Sequence, residues 1–274
     1  MPGTGLFRAG ARGGRGLAAA SMGQGICRIA VAAAVMAAAV AYCSQLLAAD
    51  SPIGLDRADP RPLRDRIFFF AGGDLARDNY FAWSGIVAAP QGLLHEDGPR
   101  LRIMAGTGRY RYRTGAVASG VNEGRIVSGE LMLGFRRAIG QTIATLFIGA
   151  HIENQTLAAP DPGHRAQGTA AGAKVALELF HRIDPSLVAT ASASASTVHR
   201  SYHARAALAH EHPSGAAVGI EAAVNGDLRY SEPRAGLFVQ KRYGRTIIAL
   251  SGGYLSNSDK GGSPYATLSL FAPY

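Results

Sequence analysis

Beyond residue 49 the chain has no cysteine; its only two, Cys27 and Cys43, fall in the first 49 positions. The remainder can therefore form neither a disulfide framework nor a thiolate metal site. A cysteine-free chain suits a protein that crosses an oxidising compartment before it folds. Acidic residues are missing from those first 49 positions, which hold Arg8, Arg12, Arg15 and Arg28 and an Ala-rich apolar run at 29–41. Missing after residue 49 is any apolar run near the roughly 20 residues of a membrane helix. If that part of the chain spans a membrane, it must do so as a closed barrel, which like a helix leaves no backbone group unpaired in lipid. Concentrated positive charge is absent too. Formal net charge is +9, and without the four N-terminal arginines 24 basic residues face 19 acidic ones, scattered along the chain. That distribution excludes a nucleic-acid-binding stripe.

What is present is alternation. Thr142, Ala144, Leu146, Ile148, Ala150 and Ile152 alternate with a mixed set that includes Gln141, Thr145, His151 and Glu153. Ala171, Ala173, Val175, Leu177 and Leu179 alternate with Lys174, Glu178 and Phe180. Period two means strands with one apolar face. Segments of about ten such residues, repeated to the C-terminus, are the pattern of a transmembrane β-barrel. The expected fold is all-β: an antiparallel up-and-down transmembrane barrel of about twelve strands, at roughly 67–75, 79–88, 100–111, 125–136, 141–153, 169–181, 186–197, 201–210, 216–225, 233–242, 245–255 and 264–273. A soluble sandwich also alternates. However, these segments exceed the usual five or six residues of soluble sheets, and their inward faces carry charges that a dry core would not tolerate unpaired.

The chain divides into a presequence at 1–49, a Pro-containing periplasmic linker at 50–66 and the barrel at 67–274. A basic head, a short apolar stretch and small residues before Asp50 read as a secretory signal. Met22 would begin a signal of ordinary length and is an alternative start. Tyr42 before Cys43 disfavours lipoprotein processing, which needs a small residue there. With a periplasmic N-terminus, the short connections 137–140, 182–185 and 243–244 fall on the periplasmic side and the long 155–168 stretch outside. The long connection 91–99 breaks that rule. Tyr80, Tyr202 and Tyr254 are expected at the outer interface, and Phe135 and Tyr274 at the inner one. Leu177 and Ile220 are expected to face lipid.

On this register the lumen is lined by Arg102, Tyr110, Tyr112, Glu130, Lys174, Glu178, Arg205 and Glu221. The charges are mixed in sign, which favours an ion-pair network over a transport path. The inward aromatics, with Phe68, Phe70, Phe147, Phe180, Phe238 and Phe271, would suit sugar stacking. The histidines lack the spacing of a zinc motif, and His210-Glu211-His212 reads as a solvated turn. Ser201 and His203 share a strand face, but there is no Gly-x-Ser-x-Gly elbow. The expectation is no catalytic residue, no cofactor and no metal.

Phe69-Phe70-Ala71-Gly72-Gly73-Asp74, Gly106-Thr107-Gly108-Arg109-Tyr110-Arg111-Tyr112, Gly129 to Phe135, and Leu146 to His151 ahead of Asn154 stand in a particular order and spacing. Together they resemble the cellulose biosynthesis protein BcsS family of alphaproteobacteria, over about Ile67 to Phe271. The resemblance implies an outer-membrane, non-catalytic accessory protein of cellulose production that supports glucan secretion or anchoring. Its partners would be outer-membrane lipid and cellulose or cellulose synthase components, with no nucleic acid. The alternative is a porin-like channel for small solutes, unrelated to cellulose.

Overall fold

A computed structural model describes residues 65–164, 166–227, 230–258 and 261–273. The signal, the alternative start, the two cysteines, most of the linker and Tyr274 lie outside the described residues. The described chain forms twelve strands: β1 (Ile67–Ala76), β2 (Asn79–Ala88), β3 (Gly98–Arg113), β4 (Val121–Ile139), β5 (Thr142–Leu157), β6 (Gly168–Arg182), β7 (Leu187–Ser196), β8 (Tyr202–Glu211), β9 (Ala216–Gly226), β10 (Ser231–Tyr243), β11 (Thr246–Asn257) and β12 (Gly261–Pro273). Each pairs antiparallel with its sequence neighbours, and β1 pairs with β12 from Phe68↔Pro273 to Ala76↔Tyr265, which closes the barrel. Closure removes both sheet edges.

The strands follow the alternation, but β3, β4 and β5 run further than expected, to 16, 19 and 16 residues. At about 3.4 Å per residue, 19 residues cover about 65 Å, more than a tilted strand needs to cross a bilayer. The β3–β5 wall therefore rises above the rim opposite the chain's entry point. Three of the turns at the entry end are tight. Gly140, Gly215 and Gly244 sit there at positive φ, which a side chain would strain.

The long entry-end connection, 89–97, is a built element. Arg100 is 3% exposed, and its guanidinium donates to the carbonyls of Leu94 at 3.0 Å and Glu96 at 2.5 Å. Asp97 accepts from Arg136 at 3.1 Å and from the Ala138 N–H at 2.7 Å. A loop so tied down can be long without being loose.

One face of the wall is apolar and exposed on nearly every strand. Leu131, Leu133, Ile148, Val218, Ile220, Leu237, Leu250 and Leu268 all lie there. A surface of this kind buries itself in hydrocarbon. Tyr80, Tyr254, Phe135 and Tyr243 are exposed at its two rims, where interfacial aromatics belong. Ile220 is 57% exposed on this surface, whereas Leu177 is only 3% exposed, so Leu177 packs within the wall between Leu146 and Ala193 instead of against lipid.

Candidate functional site

The interior holds one continuous cavity of about 1710 Å³. Arg102, Tyr110, Tyr112, Glu130, Lys174, Glu178, Arg205 and Glu221 all line it. Its charges come from two sets of strands. On β3, β4 and β6, Arg102 lies 2.7 Å from Glu178 and 3.7 Å from Glu130, and Lys174 also pairs with Glu130. The Arg102 guanidinium sits 4.3 Å from the Phe147 ring centroid. On β8 to β12 and β1, Arg205 meets Glu221 at 2.5 Å, while Arg234 meets Asp74 at 2.8 Å and Glu232 at 2.9 Å. Tyr265 donates to Glu221 at 3.0 Å.

Arg102–Glu130 and Arg205–Glu221 join adjacent strands, Arg234–Glu232 lies within β10, and the other pairs reach over two or three strands of the closed barrel. Met132 is the β4 residue directly opposite Arg102, Glu130 lies two positions from it on the same face, and Glu178 is reached from β6. Four cations thus pair with five carboxylates within the lumen, which leaves one net negative charge among them. The second set, Asp74, Glu232, Arg234 and Tyr265, was not singled out from sequence. The available signal is Asp74 alone on β1 and Glu232 with Arg234 at alternate positions of β10, but charges within a strand name no partner on another.

The lumen is not polar throughout. Val188, Ala209, Ala217 and Phe238 form an apolar cluster towards the entry end, and Met132, Phe147 and Ala176 form another. The inward aromatics do not stand free in the channel as a stacking surface. Several of them cover a glycine on the neighbouring strand. A Cβ built on Gly72 would come within 2.4 Å of the Trp83 ring, one on Gly134 within 2.4 Å of Phe147, and one on Gly124 within 2.3 Å of Tyr110. Gly219 is covered in the same way by Phe238. Phe68 stacks on Phe271 across the β1–β12 seam, with centroids 6.0 Å apart. These rings form wall.

The mouth away from the entry end is organised by the β5–β6 connection, 158–167, which folds inward. Tyr110 donates to Gln155 at 2.6 Å and lies 2.9 Å from His164 Nε2. With the tyrosine proton on Gln155, the imidazole is the donor to Tyr110. Tyr112 donates to Asp161 at 3.1 Å and accepts from Asn122 at 3.1 Å. The His164 ring stacks on Tyr112 with centroids 4.6 Å apart. Asn122 also brackets the loop backbone, donating to Ala159 O at 2.8 Å and accepting from Ala159 N at 3.2 Å. Hydrogen bonds from Thr114, Tyr112 and the Gly163 N–H hold the Asp161 carboxyl below its ordinary pKa. Burial lowers the His164 pKa, against the pull of Asp161 and Asp227. Sequence placed this connection outside the membrane but gave no hint that it turns back into the barrel, because its residues follow no period.

The other groups with chemical potential sit as follows. His203 Nδ1 is 2.5 Å from Asn225 Oδ1. His151 Nδ1 is 2.8 Å from Ser196 Oγ, and both residues are buried in the wall. At the β8–β9 turn, Glu211 pairs with Arg182 at 3.0 Å and His212 bonds Ser214 at 2.9 Å.

Residues 68–273 match the family described as cellulose biosynthesis protein BcsS. No curated protein matches the chain in sequence. Several solved structures are similar in fold. An outer membrane channel from Pseudomonas putida F1 matches with TM-score 0.49 and 10% identity, over 82% of this chain and 100% of that one. LpxR from Salmonella typhimurium matches with TM-score 0.47 and 10% identity, over 76% and 100%. KdgM porin matches with TM-score 0.45 and 6% identity, over 76% and 99%.

Proposed function

This chain belongs to the cellulose biosynthesis protein BcsS family, and from that membership we propose a non-catalytic outer-membrane accessory protein that supports secretion or anchoring of the glucan. The observation that carries the reading is the extent of the family match, which runs from the second residue of β1 to the last of β12 and so takes in the whole barrel. The lumen is compatible with such a role. Nine of its charged groups are paired with one another and sum to a single negative charge, so they exert little net field on a neutral polyhydroxylated chain. The absence of a catalytic role is part of the proposal. His203 is engaged with Asn225 and not with Ser201, and the His151–Ser196 pair is shut inside the wall.

The test is deletion of the gene in a cellulose-producing strain. Exported cellulose, or its organisation at the surface, should fall, while glucose-polymerising activity in isolated inner membranes stays intact. Loss of that polymerising activity with the synthase still present would contradict an accessory role. The continuous cavity also supports a second reading, a channel for small solutes. An unchanged cellulose phenotype under inducing conditions, together with solute uptake into vesicles carrying the barrel, would favour it.

A further inference from the structure

The outer surface of β3 and β4 carries Arg109, Arg111, Arg113 and Arg125 at the rim away from the entry end. All four are exposed, and all alternate with lumenal residues such as Tyr110, Tyr112 and Asn122. The register sets Arg109 directly opposite Arg125 and Arg111 opposite Glu123. Glu123 is 3.6 Å from Arg109 and 3.8 Å from Arg111, while Arg113 and Arg125 have no ion pair among the described residues. Like charges directly opposite across two strands destabilise the pairing. Four guanidinium groups against one carboxylate leave an excess of three positive charges that no other ion pair among the described residues offsets.

Depth points to what does. Below the arginines, the outer face of β4 reads Val127, Gly129, Leu131, Leu133 and Phe135 before the next charge, Arg137. Arg125 and Arg137 are 12 positions apart. That is about 40 Å along a strand, or about 30 Å along the normal at the usual strand tilt. The two charges therefore bracket one hydrocarbon thickness, and Arg125 with Arg109 falls at headgroup level in the outer leaflet. Tyr80, opposite Arg109 and exposed, marks the same level. The patch is local. Outward residues at this rim on other strands, such as Thr156, Thr169, Tyr202, Val224, Tyr254 and Pro264, are uncharged.

We propose that this patch binds the phosphates of an outer-leaflet lipid that carries more than one phosphate. Guanidinium forks match phosphate oxygens bidentately. The column from Arg109 to Arg113 extends about 13 Å along the strand, longer than a single phosphodiester. Bound there, the lipid relieves the Arg109–Arg125 repulsion and fixes the height of the tall β3–β5 wall in the membrane.

The test uses the full barrel, folded in neutral detergent and titrated with lipid A, which has two phosphates, with phosphatidylglycerol, which has one, and with inorganic phosphate. Lipid A should bind saturably and about tenfold or more tighter than phosphatidylglycerol, with no competition from inorganic phosphate. Replacing all four residues (Arg109→Gln, Arg111→Gln, Arg113→Gln, Arg125→Gln) should weaken lipid A binding about tenfold or more, while Arg182→Gln with Arg245→Gln at the opposite rim should not. Equal binding by wild type and the fourfold variant, or equal affinity for the two lipids, overturns the proposal. Competition by inorganic phosphate would mark a free-anion site and overturns it as well. If the fourfold variant fails to show the heat-modifiable migration of a folded barrel, Arg125→Gln alone is decisive, because it removes the facing cation. Unchanged lipid A binding by that variant overturns the proposal.

Discussion

Two carboxylates of the lumen, Glu130 and Glu178, share Arg102 yet differ sharply in surroundings. The Glu130 side chain is 3% exposed and is held by both Arg102 and Lys174, while that of Glu178 is 50% exposed. Removing one partner of a buried pair strands the other charge, whereas an exposed pair is worth little. Glu130→Leu should therefore cost about 3 kcal/mol and Glu178→Gln under about 1 kcal/mol, read from urea unfolding of the barrel in lipid vesicles. The opposite ranking would mean that the two carboxylates exchange roles in the membrane. His164 permits a second prediction at this scale. Its pKa is lowered on folding, so the closed loop favours the neutral ring. The contact is complete above the ordinary imidazole pKa of about 6.5 and is lost as pH falls through the lowered value. Conductance across planar bilayers should rise on acidification from neutral towards pH 5, and His164→Phe should flatten the response. A wild-type current that does not change over that range would show that His164 does not control the mouth.

The strands present their outer faces to lipid with different consequences by depth. Ile220 lies mid-way along β9, opposite Leu208 on one side and Leu237 on the other, and Tyr254 lies near the rim end of β11. An arginine at the bilayer midplane costs about 2–4 kcal/mol and near the interface about 0–1 kcal/mol. Ile220→Arg should accordingly lower the folding free energy by that larger amount and Tyr254→Arg hardly at all. Equal losses would misplace the hydrocarbon on the barrel. Leu177→Arg belongs to a different case. That side chain is packed inside the wall, so the substitution tests overpacking and buried charge together and says little about lipid.

For the molecule as a whole, the open question of passage turns on the inward-folded β5–β6 connection. Tyr110 and Tyr112 hold it through Gln155, His164 and Asp161, so their rings are occupied by protein. Replacing both tyrosines by alanine should release the loop and raise single-channel conductance several-fold, with assembly preserved, since each hydrogen bond contributes only about 1 kcal/mol. A conductance equal to wild type would mean that the constriction lies elsewhere, in the apolar cluster around Phe238 near the entry end.

Strand number, strand direction and the division into an apolar outside and a mixed inside are legible in the linear order of residues. Period two is a local property, and a one-residue slip would turn every side chain to the wrong solvent. For the same reason Arg102, Glu130, Lys174, Glu178, Arg205 and Glu221 could be placed on the lumenal face from their positions alone. Partners are another matter. Arg234 finds Asp74, 160 positions away, only because β1 and β12 close the barrel beside β10 and β11. The return of His164 to Tyr110, the rings laid over facing glycines, the burial of Leu177 and the confrontation of Arg109 with Arg125 all depend on register between strands or on the path of a connection. Neither is encoded in any one segment's periodicity. Both arise from the condition that every backbone group in lipid be paired around a closed circuit, which only the assembled barrel satisfies.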